Sequence, residues 1–170
     1  WTISEEDFFQ SSSIADVVNN LRLRGSWGRT GNGNLNSFYT AYNLYSLGLY
    51  GASASSLMYS QAGNQELKWE TSQQTNIGLD IGLVDNRLNF EANWYRKNVD
   101  NMILGVPQAP SKGIPGDANT ILLNVGSMYN KGWEFAINAV PVRTQDFTWS
   151  ANLNFSTLKN EVTSLVDADS

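Results

Sequence analysis

Hydrophobic and polar positions alternate with period two along most of this chain of 170 residues. From Asn76 to Leu83, Ile77, Leu79, Ile81 and Leu83 share one side, and Asn76, Gly78, Asp80 and Gly82 the other. Leu88, Phe90, Ala92 and Trp94 then face away from Asn89, Glu91, Asn93 and Tyr95. Trp133, Phe135, Ile137 and Ala139 repeat the scheme, as do Trp149, Ala151, Leu153 and Phe155. Leu21, Leu23, Gly25 and Trp27 fit it more loosely, opposite Arg22, Arg24 and Ser26. A helix needs apolar residues at i, i+3 and i+4, but Ile77 is followed at +3 by Asp80. The pattern predicts strands over 20–28, 69–83, 87–104, 121–140 and 148–160.

The connections are unequal. Short turns are expected at 84–87 and 141–147, and long loops at 29–67 and 105–119, the second holding Pro107, Pro110 and Pro115. Short turns alternating with long loops describe an antiparallel up-and-down meander, the pattern of a transmembrane β-barrel. At the start of the chain, Ser4 precedes acidic residues and Ser13 stands three before Asp16. Those residues fit one or two short helical turns or an irregular connection equally.

Alternation alone does not say whether the apolar face meets a soluble core or lipid. Counted at about 3.3 Å per residue from the short turns, Trp94 and Trp133 lie roughly 23–26 Å away, the height of a lipid-facing band. Trp149 lies beside a short turn, and Trp27 and Trp69 flank the first long loop. Girdles of aromatic residues at both rims of such a band would look like this. The residues expected to face lipid or form girdles are Trp27, Ile77, Leu79, Ile81, Leu88, Phe90, Trp94, Trp133, Phe135, Ile137, Trp149, Leu153 and Phe155.

Composition narrows the chemistry. The chain has no cysteine and no histidine, so disulfides, thiolate nucleophiles, Ser-His-Asp triads and the usual zinc sets are excluded. Eleven basic against sixteen acidic residues give a net charge of −5, the opposite of a nucleic-acid binder's balance. No apolar run exceeds three residues, so a transmembrane helix and a signal-peptide core are both ruled out. The chain opens at Trp1 without an initiator Met and is read as a piece of something larger. No enzyme is expected. Glu66 and Glu70 share a strand face about 13 Å apart, too far for a glycosidase pair, and read as a solvated strand edge. Asp80 and Glu91 read as isolated acids of the polar face. Asp100 and Asn101 lack the ligand spacing of a calcium loop. The glycines from Gly25 to Gly33 read as a strand end and turn needing positive φ. Neither a metal nor a cofactor is implied. Tyr39, Tyr42, Tyr45 and Tyr50, in the first long loop beside Asn and Ser, are the substrate-binding candidates, against the plainer reading that they pack the loop on itself or form the upper girdle.

Four stretches carry a resemblance to a known family. They are Leu23-Arg24-Gly25-Ser26-Trp27-Gly28-Arg29-Thr30-Gly31-Asn32, Leu67-Lys68-Trp69-Glu70 running on to Asp80, Asn124-Val125-Gly126 running on to Glu134, and Phe147-Thr148-Trp149 leading to Lys159-Asn160-Glu161-Val162. In order and spacing they resemble the barrel of SusC/RagA-type TonB-linked outer membrane proteins over nearly the whole chain. Gln65 departs from the proline usual in that family before Leu-Lys-Trp-Glu, which affects a loop bend. The resemblance implies part of a plugged barrel of about 22 strands, this chain giving about five from the C-terminal part. It implies import of oligosaccharides or peptides across the outer membrane of a Gram-negative bacterium of the Bacteroidota. It also implies a SusD-like surface lipoprotein as lid, energy from the TonB complex, outer-membrane lipid around the wall, no bond chemistry and no nucleic acid. The motifs look structural, shaping strand ends and turns. The alternative is a soluble carbohydrate-binding or adhesin β domain, which would need a second sheet or a helix over its apolar face.

Overall fold

A computed structural model describes residues 1–35, 38–50, 54–109, 111 and 119–165, the side chain of Tyr50 excepted. After a 3₁₀ turn at Ile3–Glu5 and a short helix α1 (Asp7–Gln10) come seven strands. They are β1 (Val18–Asn32), β2 (Leu44–Tyr50), β3 (Ala54–Gln61), β4 (Glu70–Leu83), β5 (Leu88–Pro107), β6 (Thr120–Arg143) and β7 (Thr148–Ser164). Five form an antiparallel meander in the order β1-β4-β5-β6-β7, and β2 pairs with β3 as a separate two-stranded sheet. The barrel is not closed here: β1 and β7 are edges.

The chain divides into two compact units. The first takes residues 1–29, 73–98 and 129–161 and contains both short turns. At one turn, Val84, Asp85 and Asn86 all have φ between 53° and 56°. Asp and Asn tolerate that left-handed backbone, whereas a β-branched valine does not do so readily. The turn is held from outside itself, because the Asp85 amide donates to Asn19 Oδ1 at 2.7 Å and the Val84 amide to the Val17 carbonyl. At the other turn, the Thr144 amide and hydroxyl both donate to the Phe147 carbonyl. At the start of the chain the Trp1 nitrogen donates to the Leu23 carbonyl and the Leu23 amide to the Trp1 carbonyl, so the first residues pair along β1. Neither helical turn has a side-chain cap; the indole of Trp1 donates instead to Glu6 at 2.7 Å.

The second unit takes residues 30–72, 99–128 and 162–170 and contains both long connections. Part of the long loop expected over 29–67 is strand. β1 continues to Asn32, and β2 and β3 form an antiparallel hairpin with Tyr45 opposite Tyr59 and Leu47 opposite Leu57. Tyr45, Leu47 and Leu49 do alternate with polar or small residues. Their exposure and their Gly- and Ser-rich neighbours hid that signal.

The core is almost missing. Among the described residues, Phe9 and Ala62 are the buried hydrophobic side chains, and no large side chain is fully enclosed. Every residue of β7 is exposed.

Candidate functional site

Strand β4 is built inside out by the standard of a soluble sheet. On β4 the polar side, Gly78, Asp80 and Gly82, is buried, while Ile77 is exposed and Leu79 and Ile81 are half-buried. Asp80, at 7% exposure, is covered by two arginines of β1. Arg24 donates through Nε and Nη2 to the two carboxylate oxygens at 2.8 and 2.6 Å, a bidentate fork. Arg22 donates through Nε at 3.0 Å. Arg24 also reaches Asn93 Oδ1 on β5 at 3.0 Å, so the cluster ties β1, β4 and β5 together on their polar face. Asp80 is therefore not an isolated acid. Alternation did place Arg22 and Arg24 on the polar side of β1, but their partner follows from the pairing of β1 with β4 across the intervening hairpin.

The apolar side of the same unit is an uncovered aromatic surface. Phe135 on β6 lies 6.2 Å from Phe90 on β5 and 6.3 Å from Phe155 on β7, with Trp133 stacked 5.9 Å away. Trp27, Ile77, Leu88, Trp133, Trp149, Leu153 and Phe155 are exposed. Leu79, Ile81, Phe90, Trp94, Phe135 and Ile137 are half-buried, and none of these residues is buried. A soluble domain would hide this surface beneath a second layer. Here side chains as large as Trp133 and Phe155 keep 48% and 61% of their surface open.

In the second unit, parts of three of the four sequence motifs acquire a structural purpose. The indole of Trp69 lies over Gly31 and Gly33, where an added Cβ would meet ring atoms at 3.0 and 3.3 Å. This replaces the positive-φ turn expected there: β1 runs on through Gly31, and neither glycine has a left-handed backbone. They are small because a ring sits on them. Asn124 acts as a substitute strand rung. Its side-chain amide accepts from the Lys68 amide and donates to the Lys68 carbonyl, both at 2.7 Å, and donates to the Asn101 carbonyl at 2.8 Å. Asn101 is the left-handed residue of β5, with φ 58°. The Glu70 carboxylate accepts the Ile103 amide at 2.8 Å and Asn32 Nδ2 at 3.0 Å. Glu70 is thus a backbone-satisfying group rather than a solvated edge.

Replacing Asn124 by alanine leaves these backbone groups of Lys68 and Asn101 without a partner. At about 1 kcal/mol for each lost bond, the expected cost is about 2–3 kcal/mol. Limited proteolysis of the whole receptor should then cut first near Lys68, and the thermal midpoint should fall. Unchanged cleavage would refute the clasp.

The tyrosines are arranged around the hairpin. Tyr45 and Tyr59 pair across it with ring centroids 4.6 Å apart, and hydrogen bonding with Tyr59 holds the Tyr45 phenol above its ordinary pKa. Gln61 Nε2 donates to the carbonyls of Tyr39 and Tyr42, which fastens the loop before β2 to the end of β3. A Cβ at Gly63 would fall on the Tyr42 backbone, so this fastening requires glycine. Tyr39, Tyr42 and Tyr45 all point outward into solvent. A nearby cavity of about 380 Å³ is walled by other residues, among them Thr40, Gln61, Ala62, Glu70 and Ile103. The side chain of Tyr50 lies outside the described residues. No group of three or more metal-ligating side chains occurs among the described residues.

The chain is similar to known proteins over almost its whole length. The chain is 38% identical to TonB-dependent receptor P39 of Formosa agariphila over 99% of its own length and 16% of that protein's. It is 33% identical to TonB-dependent receptor SusC of Bacteroides thetaiotaomicron, again over 99% of this chain and 17% of the relative. It therefore spans about a sixth of the length of these relatives. Among solved structures, the RagAB peptide importer in its open-open state matches 99% of the chain and 18% of its own, with a TM-score of 0.82 at 31% identity. In its closed-closed state the TM-score is 0.80. The family model described as TonB dependent receptor-like, beta-barrel, matches residues 2–169. With an open meander whose aromatic side is exposed and a family match over nearly its whole length, the chain belongs to the TonB-dependent receptor β-barrel family.

Proposed function

We propose that this chain is wall from the barrel of an outer-membrane importer that takes up peptides or oligosaccharides with energy delivered through TonB. The observation that carries the reading is the inversion of burial on β4, where Asp80 is covered by arginines and Ile77 is exposed, on a sheet whose apolar side also leaves Trp133 of β6 exposed. A sheet of this kind is stable where hydrocarbon meets its apolar face and water its polar face. The exposed residues Trp27, Ile77, Leu88, Trp133, Trp149, Leu153 and Phe155, together with Leu79, Ile81, Phe90, Trp94, Phe135 and Ile137 between them, form the lipid contact and its girdles. Sequence identity to SusC and to a peptide importer supports the substrate class. A surface lipoprotein of the SusD type would close over the barrel, and the tyrosines of the first long connection, Tyr39, Tyr42, Tyr45 and Tyr50, would meet substrate. The wall itself performs no bond chemistry.

Deleting the receptor in its native host and following labelled oligopeptides and oligosaccharides into the cell tests the reading. Uptake of one class should fall to the passive level and should also stop when a protonophore removes the proton gradient. Unchanged uptake of both, or uptake indifferent to the protonophore, would refute it.

A further inference from the structure

On the apolar side of the first unit, the aromatic surface gives way to a basic cluster at one level. Three cations surround the ring of Tyr129. The Arg96 guanidinium lies 5.2 Å from its centroid, and the ammonium groups of Lys131 and Lys159 lie 5.3 and 6.0 Å away. Alternation puts Arg96 on the face of Phe90 and Trp94, Lys131 on that of Trp133 and Phe135, and Lys159 on that of Phe155. One carboxylate answers them: Glu161 Oε2 accepts the Tyr129 hydroxyl at 2.6 Å and pairs with Lys159 at 2.9 Å. Three positive charges against one negative leave the cluster at +2 in a chain whose net charge is −5.

Beside it is a cavity of about 320 Å³ whose walls include Trp94, Arg96, Lys131, Trp133, Thr157 and Lys159. Two of the residues in this wall are indoles and three carry an ammonium or guanidinium group. Along β7, Trp149 and Lys159 are ten residues apart. At about 3.3 Å per residue, with the strand tilted by roughly 40°, that is about 25 Å along the membrane normal. With Trp149 at one rim of the apolar band, the cluster lies at the other rim, where headgroups begin.

We propose that Arg96, Lys131 and Lys159 form a binding site for the phosphate of a membrane lipid headgroup, with the lipid's acyl chain lying over Trp133 and the Phe90-Phe135-Phe155 row. The occupant follows from the order of the surface. A soluble anion would neutralise the cations but leave the indoles uncovered. A lipid carries phosphate and hydrocarbon in one molecule, in the same sequence along the membrane normal as the cations and rings. Lys and Arg reach headgroups while their stems lie on apolar surface, and charge-assisted bonds to phosphate are the strong kind. The inference rests on the barrel reading given above.

The test uses the whole receptor in phosphatidylcholine bilayers with and without phosphatidic acid, followed by native mass spectrometry of retained lipid. The wild type should retain phosphatidic acid over phosphatidylcholine. The triple variant Arg96→Gln/Lys131→Gln/Lys159→Gln should lose that retention by about thirtyfold or more at low salt. Glu161→Gln, which removes the competing carboxylate, should bind severalfold tighter, and this single change decides the matter even if the triple variant does not fold. Inorganic phosphate at equal concentration should displace little of the lipid. Equal retention by wild type, triple variant and Glu161→Gln would overturn the headgroup site while leaving the barrel reading in place. Full displacement by inorganic phosphate would also overturn it, in favour of a free-anion site. Failure of the wild type to enter either bilayer would instead overturn the barrel reading, and the site with it.

Discussion

Replacing Asp80 by alanine is expected to lower the unfolding free energy of the whole receptor by about 2–3 kcal/mol. Removing one partner from a buried ion pair typically costs about 3–5 kcal/mol, because a charge is left without compensation. The discount arises because the side chains of Arg22 and Arg24 are about half exposed, at 51% and 45%, and can recover some water. Two guanidiniums would then face each other across an empty carboxylate site. Chemical unfolding in detergent measures the loss. A second variant identifies its cause: Asp80→Asn with Arg22→Gln and Arg24→Gln should recover part of the stability, because no charge remains unpaired. If the triple change is as damaging as the sum of its parts, the cluster is not an electrostatic unit.

Phe135→Arg should cost at least as much. Near the bilayer midplane an arginine on the lipid face of a barrel costs about 2–4 kcal/mol. Phe135 in addition touches three aromatic neighbours, Phe90, Trp133 and Phe155, whose contacts would be lost. The matched control is Asn154→Arg, on the polar side of β7, where the change should be close to neutral. Folding in lipid, read by resistance of the barrel to denaturation in detergent gels, compares the two. Equal penalties at both positions would mean that the apolar side does not face hydrocarbon.

How much of this was legible beforehand depends on the range of the interaction. The five strands of the main sheet were visible because alternation is a local property, and Phe135 or Leu153 announces its side through residues two positions away. The aromatic surface followed from the same pattern. What was hidden was every group whose partner lies far along the chain. Asp80 meets Arg24 at a separation of 56 residues, and Asn124 meets Lys68 at the same separation. No local window holds both members of such a pair. Gly31 and Gly33 escape the sequence reading for a related reason: a glycine that makes room for a remote indole looks, in sequence, like a glycine that turns the chain. The cation cluster around Tyr129 lay between the two cases. Period-two spacing is consistent with one side for its members, but only the neighbouring strands bring them around one ring.

The Asn124 amide also bears on how such receptors diversify. Hydrogen-bonded ladders transmit a change of length from one strand to the next, since a shifted register turns every side chain to the opposite side. A side-chain amide that grips both peptide groups of Lys68 fixes that point independently of the ladder. The stretch between β5 and β6, already rich in proline, can then gain or lose residues without moving the anchor. Insertions there would be absorbed locally, and the pairing at Lys68 would keep its alignment.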